Sequence, residues 1–392
     1  MPDDWRKGQI VTIHKKGDQQ LCKNYRGITL LNTTYKIMSS LIQRRLSQLS
    51  RSTVGQYQCG FTKGRSTTDA IHAVKQIMEK TYEHRIDIEM LFIDFRQAFD
   101  LINRKQLMSA LKELGIHPKL RRLISMTMFK TTVSIKFQRG ITEEIGVNKG
   151  VRQGDALSAT LFNLALEYVV RKINTGTLRT RGGQIIAYAD DIVLVTKRRK
   201  IMKDMLSEII EEGKKIGLEI NEDKTKIMRI GKKLETREIK IGQYNFEEVD
   251  KFKYLGVTIS SQGDRRTEIK EKIVAANRAF HANKKLLKSK VLRKETKMKV
   301  YRTMIRPILL YAAETMTMTK RDEEDMRVME RKIMRAILGP IRLDNGEYRQ
   351  RMNCELLQEI GDDIVKKIKE QRVKWLGHIW RGGTEKTVYV LL

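Results

Sequence analysis

The chain has 392 residues, 40% of them hydrophobic, enough to bury one large core or two to three lobes and too many for a disordered polypeptide. Lys and Arg number 78 against 47 Asp and Glu, a formal charge of +31 that draws phosphate backbones or anionic surfaces from a distance. No stretch reaches the roughly 18–20 apolar residues of a membrane span, and the polar, charged run 1–17 is unlike a signal peptide, so nucleic acid leads over membrane as the expected partner.

In chain order, Ile37, Met38, Leu41, Ile42, Leu46 and Leu49 keep helical spacing and predict an amphipathic helix over 33–49. Ile71, Val74, Ile77 and Met78 predict another over 68–81. The run 88–95 (IEMLFIDF) is almost wholly apolar and of strand length, as a buried central strand ending in a carboxylate would be. Helices are expected at 104–114 and 118–129, a strand at 132–138 and a long helix at 157–173. Residues 185–195 read as two short strands about a tight turn at Asp190-Asp191, followed by a helix over 201–216 that stops at Gly217. Short strands follow near 227–230, 237–241 and 252–259.

The texture changes at a joint placed at 258–262. Between Asp264 and Arg306 there are 15 Lys and Arg against 4 Asp and Glu, on helices striped by Ile269, Ile273, Ala276 and Phe280. One of these helices starts near Glu295 and is kinked or ended by Pro307. The rest is helical and mixed in charge, and its Trp375, Gly377 and His378 read as a packed segment rather than a site. Cys22, Cys59 and Cys354 are scattered and odd in number, which argues against a disulfide scaffold or zinc ribbon. Strands alternating with helices, then helices alone, indicate an α+β body followed by a basic helical lobe.

Asp94 closes an apolar strand, and Asp190 and Asp191 share a turn between two more. Adjacent like charges flanked by apolar strands are costly to hold without a cation. A solvated hairpin also uses Asp freely, so the pair taken alone decides nothing. Nucleotidyl transfer needs an activated 3′-hydroxyl, a stabilised pyrophosphate and neutralised charge in the transition state. Two divalent ions about 4 Å apart supply all three, and Mg²⁺ accepts a few Asp oxygens as its protein ligands.

Around these carboxylates stand seven segments. Tyr188-Ala189-Asp190-Asp191 resembles the [FY]-x-D-D box of reverse transcriptases. Phe92-Ile93-Asp94-Phe95-Arg96-Gln97-Ala98-Phe99-Asp100 resembles their first aspartate box, with the A-F-D ending of non-LTR elements. Gly150-Val151-Arg152-Gln153-Gly154-Asp155 is similar to the R-Q-G box, with Leu161-Phe162-Asn163 after it. Asn24-Tyr25-Arg26-Gly27-Ile28-Thr29-Leu30-Leu31 and Gln58-Cys59-Gly60-Phe61-Thr62-Lys63-Gly64-Arg65-Ser66-Thr67 resemble the fingers segments Y-R-P-I-x-L-L and G-F-x-x-G-R-S-T. Gly217-Leu218-Glu219-Ile220-Asn221 through Lys224-Thr225-Lys226, and Phe252-Lys253-Tyr254-Leu255-Gly256, stand in the places of the late boxes. By these segments, in the family order over about residues 5–260, the chain is identified as resembling a non-LTR (LINE-type) retrotransposon reverse transcriptase.

The resemblance implies a right-hand polymerase of class α+β: fingers and palm over 1–259, a basic helical thumb over 260–345 and a helical C-terminal segment over 346–392. It implies an RNA-directed DNA polymerase with RNA template, DNA primer and dNTPs as partners, and two Mg²⁺ ions, or Mn²⁺, held by Asp94, Asp190 and Asp191. Lys224 matches a lysine proposed to protonate pyrophosphate; a solvated charge is the plainer reading. Arg26 and Arg65 would grip the triphosphate, and Gln153 and Gly154 would line the nucleotide pocket. Phe99 would lie under the sugar, unless it is simply core. Lys284, Lys285 and Lys288 would track a duplex backbone. Three departures carry expectations of their own. Gly27 and Ala156 in place of Pro should each loosen a turn, and Asp155 in place of Cys should put a negative charge near the nucleotide. The expected setting is an intracellular ribonucleoprotein, in nucleus or cytoplasm. The abrupt start, with no endonuclease or zinc knuckle, reads as a truncated or decayed element copy. The rival reading is an inactive nucleic-acid-binding relic; an RNA-dependent RNA polymerase shares the carboxylates but not the R-Q-G or G-F-x-x-G-R-S-T boxes.

Overall fold

The computed structural model describes residues 1–137, 140–173, 182–231 and 238–381. The ends of the predicted strands 132–138 and 237–241 and the last residues of the C-terminal segment lie outside them. Contacts divide the chain into one unit of residues 1–66 and 84–249 and a second of 67–83 and 250–392. The joint expected at 258–262 thus falls at 249/250 by contacts, and the helix Thr67–Glu83 is grouped with the second unit.

The first unit carries two sheets. One uses β1 (Lys7–His14), β2 (Tyr25–Leu31), β4 (Thr131–Phe137), β5 (Gly140–Ile141) and β6 (Ile145–Val147), with β1 antiparallel to β2 and parallel to β4. The other uses β3 (Ile88–Ile93), β7 (Gly183–Tyr188), β8 (Asp191–Thr196), β9 (Lys226–Ile230), β10 (Glu238–Ile241) and β11 (Tyr244–Glu248), in the order β10-β11-β9-β3-β8-β7. All six residues of β3 are buried, as its unbroken apolar run requires of a central strand. The helix Ala156–Lys172 is apolar on nearly every side because neighbours flank it: it packs against the helices Thr33–Thr53, Arg104–Glu113 and Arg199–Ile216.

The three departures have local explanations. Gly27 lies inside β2 opposite Thr12, in extended backbone rather than a turn, so nothing is loosened there. Ala156 is the first residue of its helix, a position that welcomes Pro but demands nothing of it. Asp155 has a structural use beside its charge. It caps that helix by accepting from the amide of Leu157 at 3.0 Å, and its oxygens also take the Tyr35 hydroxyl at 2.5 Å and the Ser39 hydroxyl. Tyr35 is wholly buried. Asp155→Ala should therefore remove a cap and orphan a buried phenol, costing about 2–4 kcal/mol of stability by thermal or urea unfolding. A loss within about 0.5 kcal/mol, the range of ordinary surface changes, would contradict that role.

The second unit pairs the strand Lys251–Tyr254 with Val257–Ser260 and, unlike the all-helical reading, Ile341–Arg342 with Tyr348–Arg349; its other described elements are helical, with a core that includes Ile269, Phe280, Tyr301, Met326, Ile333 and Ile368. Lys75 of Thr67–Glu83 reaches Glu268 at 2.6 Å and the Thr315 hydroxyl at 3.1 Å, which ties that helix to Arg265–Ala282. The helix begun at Lys294 passes into a π turn at Tyr301–Ile305 before a short helix, Arg306–Leu310, carries Pro307 in its first turn, where a missing N–H costs nothing. The Tyr301 hydroxyl donates to buried Glu330 at 2.5 Å, whose other oxygen accepts the amide of Ile364 at 2.9 Å. Trp375 and His378 pack as a ring stack at 4.9 Å, and His378 meets the buried Asp69 at 3.2 Å.

Candidate active site

Strand register assembles the carboxylates. β3 runs antiparallel to β8, and their last matched pair is Ile93 with Ile192, so Asp94 and Asp191 leave the sheet side by side. β7 and β8 form a hairpin in which Tyr188 pairs with Asp191 across the two-residue loop Ala189-Asp190. Such loops favour a left-handed first residue, and Ala189 has φ +55° without being glycine. Across β3, the chain entering β9 completes the site: the amide of Asn221 donates to the Asp94 carbonyl at 2.8 Å, and the Asp94 amide donates to the Thr225 hydroxyl at 3.2 Å.

The electrostatics fit a cation site. Crowding by surrounding atoms pushes Asp190 up, and Asp94 adds to the push, while Arg26 and Lys224 pull it back. Asp191 is pushed up to about 6, first by loss of water and then by Asp190 and Asp94, against Lys224. Asp94 is held from the side: its Oδ2 lies 3.2 Å from Lys224 Nζ and accepts from Asn221 Nδ2 at 3.2 Å. The donor set is hard oxygen, the kind Mg²⁺ takes. Among the described residues no three His, Cys, Asp or Glu side chains are gathered closely enough to enclose a metal ion. A Mg²⁺ that draws its remaining ligands from water and phosphate needs no such cage.

The residues expected at the nucleotide divide into two groups. Arg26, exposed on β2, lowers both Asp190 and Asp100, so the structure brings it to the carboxylate side. Gln153 donates from Nε2 to both oxygens of Asp100, at 3.2 and 3.1 Å, and its carbonyl accepts the Thr29 amide at 2.8 Å. Gly154 has φ +111°, and a Cβ there would come within 2.7 Å of the Thr29 carbonyl, so only glycine permits this approach of the R-Q-G loop to β2. Phe99 is half-buried and stacks on the fully buried Phe162 at 4.7 Å: a ring backed by the core with accessible surface left. Arg65 stands apart. Its Nη1 donates to the carbonyls of Gly55, Gln56 and Gln58 at 3.2, 3.2 and 2.6 Å, and Nη2 reaches the Gln56 side chain, so these donors brace the 55–58 loop.

Sequence reasoning did not single out Asp100, Asn221, Thr225, Gln58 or Arg104 for the site. Asp100 and Asn221 lay inside quoted motifs, and that company was the available signal. Arg104 carried none: it is buried and donates to the carbonyls of Gly150 at 2.8 Å, Val147 at 2.6 Å and Met128, holding the start of the R-Q-G loop.

Lys284, Lys285 and Lys288 belong to the second unit, where all three are exposed on the short helix Lys284–Lys288 while Leu287 anchors it in the core. Reversing the three to Glu should weaken duplex binding about equally for unrelated sequences. It should also flatten the salt dependence, by roughly 0.7–0.9 log units per lost contact. Binding equal to the parent at every salt concentration would place the contact elsewhere.

Comparisons with known proteins bear on the fold and the family. Apo telomerase from Candida tropicalis shares the fold, with a TM-score of 0.50 at 13% identity over 85% of this chain and 63% of that one. The family model of reverse transcriptase (RNA-dependent DNA polymerase) matches residues 13–259, and the chain belongs to that family. The RNA-directed DNA polymerase from mobile element jockey of Drosophila funebris is 26% identical over 393 residues, 92% of this chain and 41% of its own length. The transposon TX1 149 kDa protein of Xenopus laevis is 28% identical over 203 residues, 50% of this chain and 16% of its length. The Pol polyprotein of retrotransposable element R2 from Popillia japonica is 25% identical over 236 residues, 57% of this chain and 32% of its length. The chain therefore spans less than half of each of these proteins. The relatives come from non-LTR elements, and the resemblance carried by the motif segments holds.

Proposed function

We propose that the first unit is an RNA-directed DNA polymerase that adds deoxynucleotides to a primer 3′-hydroxyl with two divalent ions at Asp94, Asp190 and Asp191. The observation that carries this reading is the convergence of the three carboxyls at the ends of β3 and the β7–β8 hairpin, where loss of water and then the neighbouring carboxylates raise the proton affinity of Asp190 and Asp191, against Lys224 at both and Arg26 at Asp190. Bound Mg²⁺ would offset that repulsion, lower the pKa of the attacking hydroxyl and neutralise charge on the phosphates. The chain's own groups do the rest. Asn221 and Thr225 fix Asp94 through side chain and backbone. Arg26 offers a planar guanidinium on the nucleotide side, and Gln153, held by Asp100, presents the R-Q-G loop. Lys224, exposed beside Asp94, would hand a proton to the leaving pyrophosphate. RNA template, DNA primer and dNTPs are the substrates this reading requires, and the basic helices of the second unit would act as the thumb on their duplex.

The test offers one DNA primer on matched RNA and DNA templates of mixed sequence. The expected product is DNA complementary to the RNA template. A chain that binds both duplexes and extends neither is the relic, and the proposal is then wrong.

A further inference from the structure

Ala189 presents a problem that the metal site alone does not solve. It is the residue before Asp190, it is left-handed at φ +55°, and its methyl makes that conformation cost on the order of 1 kcal/mol or more. Glycine or asparagine would hold such a turn more cheaply. Something else must pin it, or the Asp190 carboxyl would wander with the turn.

The 55–60 segment does so. The amide of Ala187 donates to the Tyr57 carbonyl at 2.8 Å and the amide of Cys59 donates to the Ala187 carbonyl at 2.7 Å, which lays this segment parallel along the outer edge of β7. Gln58, with no exposed surface, turns its side chain into the hairpin loop. Its Oε1 accepts the Ala189 amide at 2.8 Å and the Gly60 amide at 2.7 Å, and its Nε2 donates to the Ala189 carbonyl at 3.4 Å. One primary amide thus grips both polar groups of the left-handed residue, which a carboxylate or a hydroxyl of that reach does not match. Gly60 is part of the same grip. A Cβ there would sit 2.3 Å from the Ala189 nitrogen, and its carbonyl accepts from Asn163 Nδ2 of the buried helix at 2.8 Å. The loop is braced in turn by Glu167, which accepts the Gly55 amide and the Tyr57 hydroxyl, and by Arg65.

We infer that Gln58 is a positioning residue: by clamping both backbone groups of Ala189 it fixes the left-handed hairpin loop and so aims the Asp190 carboxyl at the divalent cation. The inference rests on the polymerase reading above. It also accounts for Arg65, whose donors support the loop that carries the clamp.

The test replaces Gln58 with Met, close in length but without either polar function, and repeats the change in an Ala189→Gly background. Mn²⁺ affinity is measured by isothermal titration without substrate, alongside the kcat and primer–template KM of extension. With Gln58→Met, Mn²⁺ affinity and kcat should each fall about 10–100-fold, the scale of lost supporting hydrogen bonds around metal ligands, while primer–template KM stays within about twofold. In the Ala189→Gly background φ +55° carries no methyl penalty, so the same change should cost several-fold less. An Mn²⁺ affinity unchanged by Gln58→Met overturns the inference, as does a loss equally large in both backgrounds, which would mean that the residue acts otherwise than by holding the left-handed Ala189. A wild type that binds no Mn²⁺ and extends no primer overturns the polymerase reading itself, and this inference with it.

Discussion

Asp190→Asn should reduce primer extension by about 10³-fold or more, roughly 4 kcal/mol of transition-state stabilisation, and leave primer–template affinity within a factor of two or so. The asymmetry follows from where the charges are. Duplex affinity comes from Lys and Arg neutralising phosphates, and the substitution touches none of them. The proposed metal site instead loses a carboxyl placed on a two-residue loop between buried strands, and Asp191, next to it on that hairpin, cannot supply a second carboxyl at the same point. The variant should fold well, because Asp190 is held in a place that already disfavours its charge. Steady-state extension and an equilibrium binding assay, run on the same preparation, separate the two effects. Robust Mg²⁺-dependent synthesis by the variant would remove Asp190 from the site.

Phe99→Val should change which sugar is accepted. A polymerase that makes DNA must refuse the 2′-hydroxyl although ribonucleotides are in excess, and a stiff ring beneath C2′ is the simplest device. Phe99 has the build for it. It follows the β3 strand by a few residues, it is locked by a stack on buried Phe162, and it keeps part of its surface free. Valine opens the space above Phe162, so the ratio of kcat/KM for a dNTP to that for the matching rNTP should fall roughly 10–100-fold. Deoxynucleotide addition itself should drop only modestly. A purely structural Phe99 has a different signature: lower stability, lower activity on both sugars and an unchanged ratio. That outcome in a folded variant would assign the gate to another residue.

What the sequence made legible was whatever repeats or runs. The apolar run ending at Asp94 and the hairpin around Asp190-Asp191 announce themselves because period-two strands and buried strands leave unbroken apolar text, and the helices over 33–53 and 199–216 because their apolar residues recur at helical spacing. What it hid was the use made of single polar residues by partners far away in the chain. Asp155 looks like a loose charge until Tyr35 and Ser39 are folded against it, more than a hundred residues away in sequence. The sequence gives no sign that Arg65 braces the 55–58 loop through three of its carbonyls. Gln58 has no periodic or compositional mark at all; its meaning depends on β7 being its neighbour and on the sign of one φ angle. Pro307 marked an irregularity in the helix begun near Glu295 but not its form, a π turn at 301–305 just before the proline.

The central claim is that this chain joins nucleotides at its three aspartates with divalent ions, and single-turnover addition of one complementary dNMP to a primer on RNA tests it most directly. Mg²⁺ is titrated from zero with chain and primer–template pre-bound, so that binding is not what is read. The expected result is no addition without the ion, a saturable rise with it, and addition of the complementary nucleotide alone. Addition that ignores Mg²⁺, or its complete absence from a fully bound complex at every Mg²⁺ and Mn²⁺ concentration, would contradict the claim.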